Sequence, residues 1–396
     1  MIRHLHGLSR LTVQGVAGTT TLVEQMHWTI ARLSAPIGRL PEGRTRGITG
    51  LVYRSIHGIT GLVGDSLDLA FRTLTPQSPP LQAGPKLEAR VAILNGILGD
   101  HLEATGNPLA IPMQLRYRGQ ALRPEPAELA RTIASPSSRL LIAAHGLCMS
   151  EHCWTPSDAT SAIHLPAMLA KASDHTHINL NYNSGRPIAD NGRELADLIE
   201  RLVKHWPVPV EEVTLLGHSM GGLVARSACH HAMQTDHQWP DRLKRMIFLG
   251  TPHHGSPLER AGYGLERILG ISPYSAPFQR LAWLRSAGIT DLRHGRIIGA
   301  NENHEAPHPQ PALPEAVQLH AIAASTAKDP DRPIARRIGD GLVPIDSALG
   351  RHPDPARALA IPPEHQQILP ATSHLGLLHE PRVLEILGCW MDTERR

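Results

Sequence analysis

Two hydrophobic periods divide the chain. Up to about residue 75, apolar residues return every three or four positions, the period of an amphipathic helix. One such stretch runs from Leu8 to Leu33 and breaks at Pro36-Ile37-Gly38 and Pro41-Glu42-Gly43. The next opens with an internal repeat, in which Gly47-Ile48-Thr49-Gly50-Leu51-Val52 returns eleven residues later as Gly58-Ile59-Thr60-Gly61-Leu62-Val63. Eleven residues fill three turns at about 3.67 per turn, close to a straight helix. Ile48, Leu51, Val52, Ile56, Ile59, Leu62, Val63, Leu67 and Ala70 therefore stay on one face. Thr75-Pro76-Gln77-Ser78-Pro79-Pro80 has the composition of a linker. Residues 1–80 are expected to form a helical amphipathic region ahead of a larger domain at 81–396.

Beyond the linker the pattern changes. Residues 86–104 read as one more helix. Ile111 to Leu122 alternates, with Met113, Leu115 and Tyr117 opposite Gln114, Arg116 and Arg118, and Gly119-Gln120 could close a hairpin. From Arg139 short apolar runs alternate with helices, the pattern of an α/β fold whose mostly parallel central sheet is flanked by helices. Strands are expected at Leu140 to Ala144, His177 to Asn181, Val213 to Leu216, Met246 to Leu249, Val317 to Ala323 and Gln366 to Leu369. Helices are expected at Ile163 to Lys171, Arg193 to His205, Gly222 to Met233, Leu258 to Leu269 and Pro381 to Trp390. Residues 271–314 read as irregular, and a lid is expected within 256–314.

Composition narrows the function. The chain has 396 residues and is 41% hydrophobic but only 4% aromatic, so its core is aliphatic. A net charge of +3, scattered, gives no footprint for nucleic acid, and no nucleic-acid partner is expected. Cys148, Cys153, Cys229 and Cys389 have no metal-ligand spacing. Cys148 and Cys153 could bridge in an oxidising compartment, but free thiols in a cytoplasmic protein are the preferred reading. The first ten residues lack an apolar core behind their charges, and no run of 18 apolar residues occurs, so neither a secretory signal nor a membrane span is expected. Asn301 to His308 gathers potential ligands without fixed helical spacing, and His230-His231 face different ways, so no metal is expected.

The densest chemistry lies at Gly217-His218-Ser219-Met220-Gly221-Gly222, between an apolar strand and a helix. A sharp strand-to-helix turn needs small flanking residues, lifts Ser219 Oγ out of the sheet and sets it by a helix N-terminus. A serine nucleophile needs a base, an orienting acid and two oxyanion donors. His374, between the last strand and the last helix, is the expected base, ahead of His379 and His365. Asp340, in Gly339-Asp340-Gly341, is the expected acid, ahead of Asp346, Asp329 and Asp331. The expected oxyanion donors are the amides of Met220 and, after the first long strand, of Leu147 in His145-Gly146-Leu147. His145 is then structural.

His145-Gly146, Gly217 to Gly222, Gly250-Thr251-Pro252-His253-His254-Gly255, Gly339 to Pro344 and Ser373-His374 together resemble the bacterial serine lipase/esterase branch of the α/β-hydrolases, which includes relatives of GPI inositol-deacylase. The resemblance covers roughly residues 110–390. It implies hydrolysis of a small-molecule or lipid ester through an acyl-serine with no cofactor, and a structural role for His253 and His254. An acyltransferase, an intracellular polyester depolymerase and a non-catalytic lipid-surface protein are the alternatives.

The N-terminal stripe has two readings. It could lie on a membrane or granule surface through residues 8–75, with Arg44, Arg46, Arg54 and Arg72 toward anionic head groups. It could instead be buried in a hairpin docked on the catalytic domain or at a dimer contact. Burial is preferred, because one repeat is little to go on and the polar face is not strongly basic. A cytoplasmic protein, peripherally attached if the first reading holds, is the expected location, and the oligomeric state is not legible.

Overall fold

The computed structural model describes residues 2–30, 47–74, 84–155, 164–255, 286–298 and 311–392. The helix expected at Leu258 to Leu269, the ligand-rich run 301–308 and most of the expected lid lie outside them. The chain divides into two compact units, one of residues Met1–Gly84 with Leu102–Ala110, the other of Pro85–His101 with Ile111–Arg396.

The first unit is built on two long helices, α1 (Ile2–Ile30) and α2 (Gly47–Leu74). They pair antiparallel, since His6 near the start of α1 meets Asp68 near the end of α2, and Glu24 meets His57. The expected burial of the apolar stripe in the hairpin is not what the helices show, because these polar and ionic partners occupy the seam, and Val52, Ile56, Ile59, Leu62, Val63 and Leu67 of α2 are all exposed.

The second unit begins with α3 (Pro85–Ala104, to His101 in this unit) and a hairpin of β1 (Gln114–Tyr117) and β2 (Gln120–Leu122). Gly119, with φ of 79°, makes its turn. There follow α4 (Pro126–Thr132), β3 (Arg139–Ala144), α5 (Leu165–Ser173), β4 (Thr176–Asn181), α6 (Ile188–His205), β5 (Glu212–His218), α7 (Met220–Gln234) and β6 (Leu243–Leu249). Then come α8 (Ala287–His294), β7 (Gln318–Ala324), α9 (Pro333–Ile338), α10 (Ile345–Ala348), β8 (Gln366–Leu369) and α11 (Pro381–Asp392). The eight strands form one sheet in the order β2-β1-β4-β3-β5-β6-β7-β8. Every pairing from β4 to β8 is parallel, and β1 runs antiparallel to both neighbours.

The period-2 rule of strands assigns each face its core. On one face Leu140, Ile142 and Ala144 of β3, Val213 and Leu215 of β5, Met246 and Phe248 of β6 and Leu319 and Ala321 of β7 pack under α6 and α7. On the other Leu141, Ala143, Leu216, Ile247, Leu249 and Ile322 meet α5 and α11. Helix α6 buries Ile188, Asn191, Leu195, Leu198, Ile199 and Leu202, a helical stripe, and Gly192 lets Ser227 of α7 approach closely.

Two expectations are corrected here. Strand β6 begins at Leu243, three residues before the expected Met246, because the charged Arg245 is not a strand end. Its guanidinium is buried against Glu212 of β5, which also accepts from His175 Nε2 at 3.2 Å. Burial raises the Glu212 pKa, but His175 and Arg245 prevail and hold it down at about 2. Residues 287–294, within the stretch read as irregular, form α8. The Ser286 hydroxyl caps its first turn, and Gly295, with φ of 65°, ends it in the left-handed conformation.

Candidate active site

Ser219 occupies the single residue between β5 and α7, with φ of 53° and ψ of −123°. Such a backbone is costly for a residue with a Cβ, about 1–3 kcal/mol. Its surroundings hold it there. The Ser219 N–H donates to Leu249 O at 2.9 Å, and its carbonyl accepts from Gly222 N at 3.2 Å. A Cβ on Gly217 would run into the backbone of Gly222, and one on Gly221 into the carbonyls of Ala144 and His145. The glycines are thus required by close backbone approach.

The loop after β3 lies against this turn. A Cβ on Gly146 would stand 3.1 Å from Ser219 Cβ and 3.1 Å from His218 Nδ1. Tyr182, at the end of β4, braces the loop. Its hydroxyl donates to His145 O at 2.8 Å, its ring stacks on the imidazole at 4.4 Å, and its N–H donates to His145 Nε2 at 3.4 Å. With Nε2 accepting, Nδ1 of His145 carries the proton and donates to Gly146 O at 2.9 Å. The loop continues through Cys148, at φ of 60°, whose N–H donates to Ser184 Oγ at 3.0 Å. A Cβ at Gly96 of α3 would collide with Cys148. The Leu147 amide between these anchors has no hydrogen bond among the described residues. Met220 opens α7, where an amide has no acceptor within the helix.

Asp340 and His374 form a buried pair. His374 Nδ1 donates to Asp340 Oδ2 at 2.7 Å, and the His374 N–H to Asp340 O at 3.1 Å. The other carboxylate oxygen accepts from Leu342 N at 2.9 Å and Val343 N at 2.8 Å. These bonds fix the carboxylate in place, and positive φ at Gly339 (56°) and Gly341 (97°) lets the loop fold around it. With its proton on Nδ1, the His374 ring keeps Nε2 as an acceptor.

Two contacts tie this pair to the serine turn. His218, the residue before Ser219, donates from Nε2 to His374 O at 3.2 Å, with ring centroids 4.7 Å apart. Gly250 follows Leu249, the residue that holds the Ser219 amide. A Cβ there would lie 3.1 Å from Asp340 Oδ2 and 3.2 Å from His374 Cε1. The three residues thus gather past the C-terminal ends of β5 to β8, where open parallel sheets place their sites. Four of the runners-up are engaged elsewhere. Asp346 pairs with Arg336 at 2.6 Å, Asp329 with Arg332 at 3.2 Å, Asp331 with Arg336 at 3.8 Å, and His365 stacks on His320 at 4.1 Å. His379 lies beyond the Gly376–Leu378 turn, on the far side of His374 in sequence.

The strand order, with one antiparallel strand at β1 and parallel pairing from β4 to β8, decides the fold. It is the α/β-hydrolase fold. Residues 164–294 match the family described as "PGAP1-like alpha/beta domain". Solved structures similar to this chain include the lipase BlEst2 of Bacillus licheniformis in mature form, 18% identical over 65% of this chain and 93% of that one, with a TM-score of 0.41. The ester-hydrolase EH1AB1 from the metagenome of Lake Arreo is 15% identical over 84% and 97%, with a TM-score of 0.39. Naproxen esterase of Bacillus subtilis is 13% identical over 64% and 83%, with a TM-score of 0.35. No curated protein matches the chain.

Among the described residues one cluster could hold a cation, Glu88, Glu151 and His152. Arg116 Nη1 already lies 2.9 Å from Glu88 and 2.7 Å from Glu151, and supplies the positive charge. The hydrogen bond from His152 outweighs burial and, with Arg116, holds Glu88 down at about 2. The cluster fastens α3 to β1 and to the short Glu151–Trp154 turn.

Burial keeps several imidazoles neutral. It lowers His218 well below the ordinary histidine value, with the neighbouring His374 ring acting in the same direction, and lowers His145 to about 4 and His320 to about 3. The consequence for stability has a definite sign. Below pH 6.5 the unfolded chain takes up protons on these rings while the native protein does not, so stability falls as pH falls. The loss is about 1.4 kcal/mol per pH unit for each such ring until its folded pKa is reached. Thermal melts are expected to drop steadily between pH 6.5 and 4.5, and His320→Phe to flatten the slope. A melting temperature unchanged over that range would contradict buried neutral rings.

The roles of Tyr182, Ser184 and Gly96 in bracing the loop after β3 are not legible in the sequence. The closest signal was the small pair Gly96 and Gly99 within an apolar helix.

Proposed function

We propose that the protein is a serine hydrolase that cleaves carboxylic esters through an acyl-serine intermediate. The observation that carries this reading is the buried Asp340–His374 pair, held beside the turn that bears Ser219. Ser219 Oγ attacks the ester carbonyl while His374 Nε2 takes its proton, and Asp340 stabilises the imidazolium through Nδ1. The Leu147 and Met220 amides receive the developing oxyanion. The alcohol leaves with the proton from His374, and water then repeats the sequence on the acyl-enzyme. Each oxyanion donor contributes about 3 kcal/mol to lowering the barrier. Both are main-chain groups, so side-chain substitution does not remove them.

The substrate is an ester of a small molecule or a lipid. The test is a series of p-nitrophenyl esters of graded acyl length, with products analysed with and without glycerol. The expected result is release of free acid at every productive length, with water the main acceptor. Acyl-glycerol as the dominant product would make the protein an acyltransferase, and inertness toward the whole series would reject the reading.

A further inference from the structure

His218, the residue before the serine, touches both the base and the oxyanion loop. It ends β5 in register with Leu249, whose carbonyl holds the Ser219 amide. Its imidazole is fully buried. The ring packs against the His374 ring at 4.7 Å and meets the Trp154 ring edge-on at 6.3 Å. A Cβ on Gly146 would stand 3.1 Å from its Nδ1.

What the ring meets fixes its tautomer. The His374 carbonyl, 3.2 Å away, can only accept, so Nε2 carries the proton and Nδ1 the lone pair. That lone pair is buried and has no hydrogen bond among the described residues. A buried nitrogen without a partner disfavours the folded chain, and a leucine would fill the same space without one. What the imidazole alone supplies is the bond from Nε2–H. Burial also holds the ring neutral, so it adds no charge beside the imidazolium that His374 becomes.

The bond occupies a particular place. His374 is tied to Asp340 twice, through Nδ1 at 2.7 Å and through its N–H at 3.1 Å. Its loop is tied to the chain just after β7, with Thr372 N donating to Ser325 O at 2.8 Å and Ala371 N to Ala327 O at 2.9 Å. These four bonds fasten the base to the acid and to the end of β7, and none reaches the serine. Among the described residues, His218 Nε2 to His374 O is the one hydrogen bond between the serine turn, residues 217–222, and the base loop, residues 370–380. Proton transfer needs Oγ and Nε2 within about 2.6–3.2 Å of each other.

We propose that His218 is a positioning residue, which by donating to the His374 carbonyl holds the base within proton-transfer reach of Ser219 Oγ. The inference rests on the acyl-serine reading and deepens it. The test compares His218→Leu, His218→Gln and His218→Asn in the full chain. Glutamine sets an amide N–H where Nε2–H stands, asparagine sets one where Nδ1 stands, and leucine sets none. His218→Leu and His218→Asn are expected to lower kcat for p-nitrophenyl esters about 10²-fold with KM within about twofold of wild type, and His218→Gln to recover kcat to within about fivefold. The same ranking is expected in the rate at which a fluorophosphonate labels Ser219, which needs the base but no turnover of a carboxylic ester. A wild type that labels yet turns over no ester fails the ester reading alone, and the labelling rates then decide; a wild type that does neither overturns both. Equal kcat and labelling in wild type and His218→Leu would overturn the proposal. So would a His218→Gln variant no better than His218→Leu, or losses in all three that merely follow their melting temperatures, which would leave His218 a packing role alone.

Discussion

Ser219→Ala is expected to lower kcat for p-nitrophenyl esters by about 10⁴ or more, with the fold retained. The substitution removes Oγ alone. Alanine keeps the Cβ that the turn already accommodates at φ of 53°, and the bonds that hold the turn use the Ser219 main chain. The Leu147 and Met220 amides, the proposed oxyanion donors, are main-chain groups that the substitution leaves in place, so a small residual rate over water remains. The check is steady-state turnover of the purified variant, with a melting temperature close to wild type. Retention of full activity would remove Ser219 from the mechanism.

Asp340→Asn is expected to cost about 10⁴ in kcat with KM little changed. Asparagine has the same shape, and its oxygen can still accept from Leu342 and Val343. Its amide then faces His374 Nδ1 and donates to it. That forces the proton onto Nε2, so the ring no longer accepts from serine, and the charge that stabilised the imidazolium is gone. The rate is expected to recover partly at high pH, where hydroxide replaces the missing base. Asp346→Asn removes the ion pairs with Arg336 and Arg351 and is expected to leave kcat unchanged. Equal losses at both positions would contradict the assignment of Asp340 as the orienting acid.

The parallel sheet was legible because β3, β5, β6 and β7 carry short apolar runs and β4 sets Ile178 and Leu180 between polar residues, and β3, β4, β7 and β8 begin within a residue of expectation. Charged residues hid the start of β6, since nothing local announces that Arg245 finds Glu212. The order of Ser219, Asp340 and His374 could be read because a tight turn leaves a mark in small residues, as at Gly217, Gly221, Gly339 and Gly341. The brace from Tyr182 left none, since an aromatic at a strand end most often serves as core. The outward stripe of α2 could not be read either. A period shows that a face is apolar, and only the identity of the seam shows which way it points.

The central claim is that Ser219 is the nucleophile beside His374. It is tested most directly by treating the purified protein with a fluorophosphonate ester and mapping the adduct by peptide mass spectrometry. A single phosphonyl group on the peptide containing Ser219, with loss of turnover in proportion to labelling, is the predicted result. Full inactivation with the adduct on another residue, or turnover that persists with Ser219 fully labelled, would contradict it.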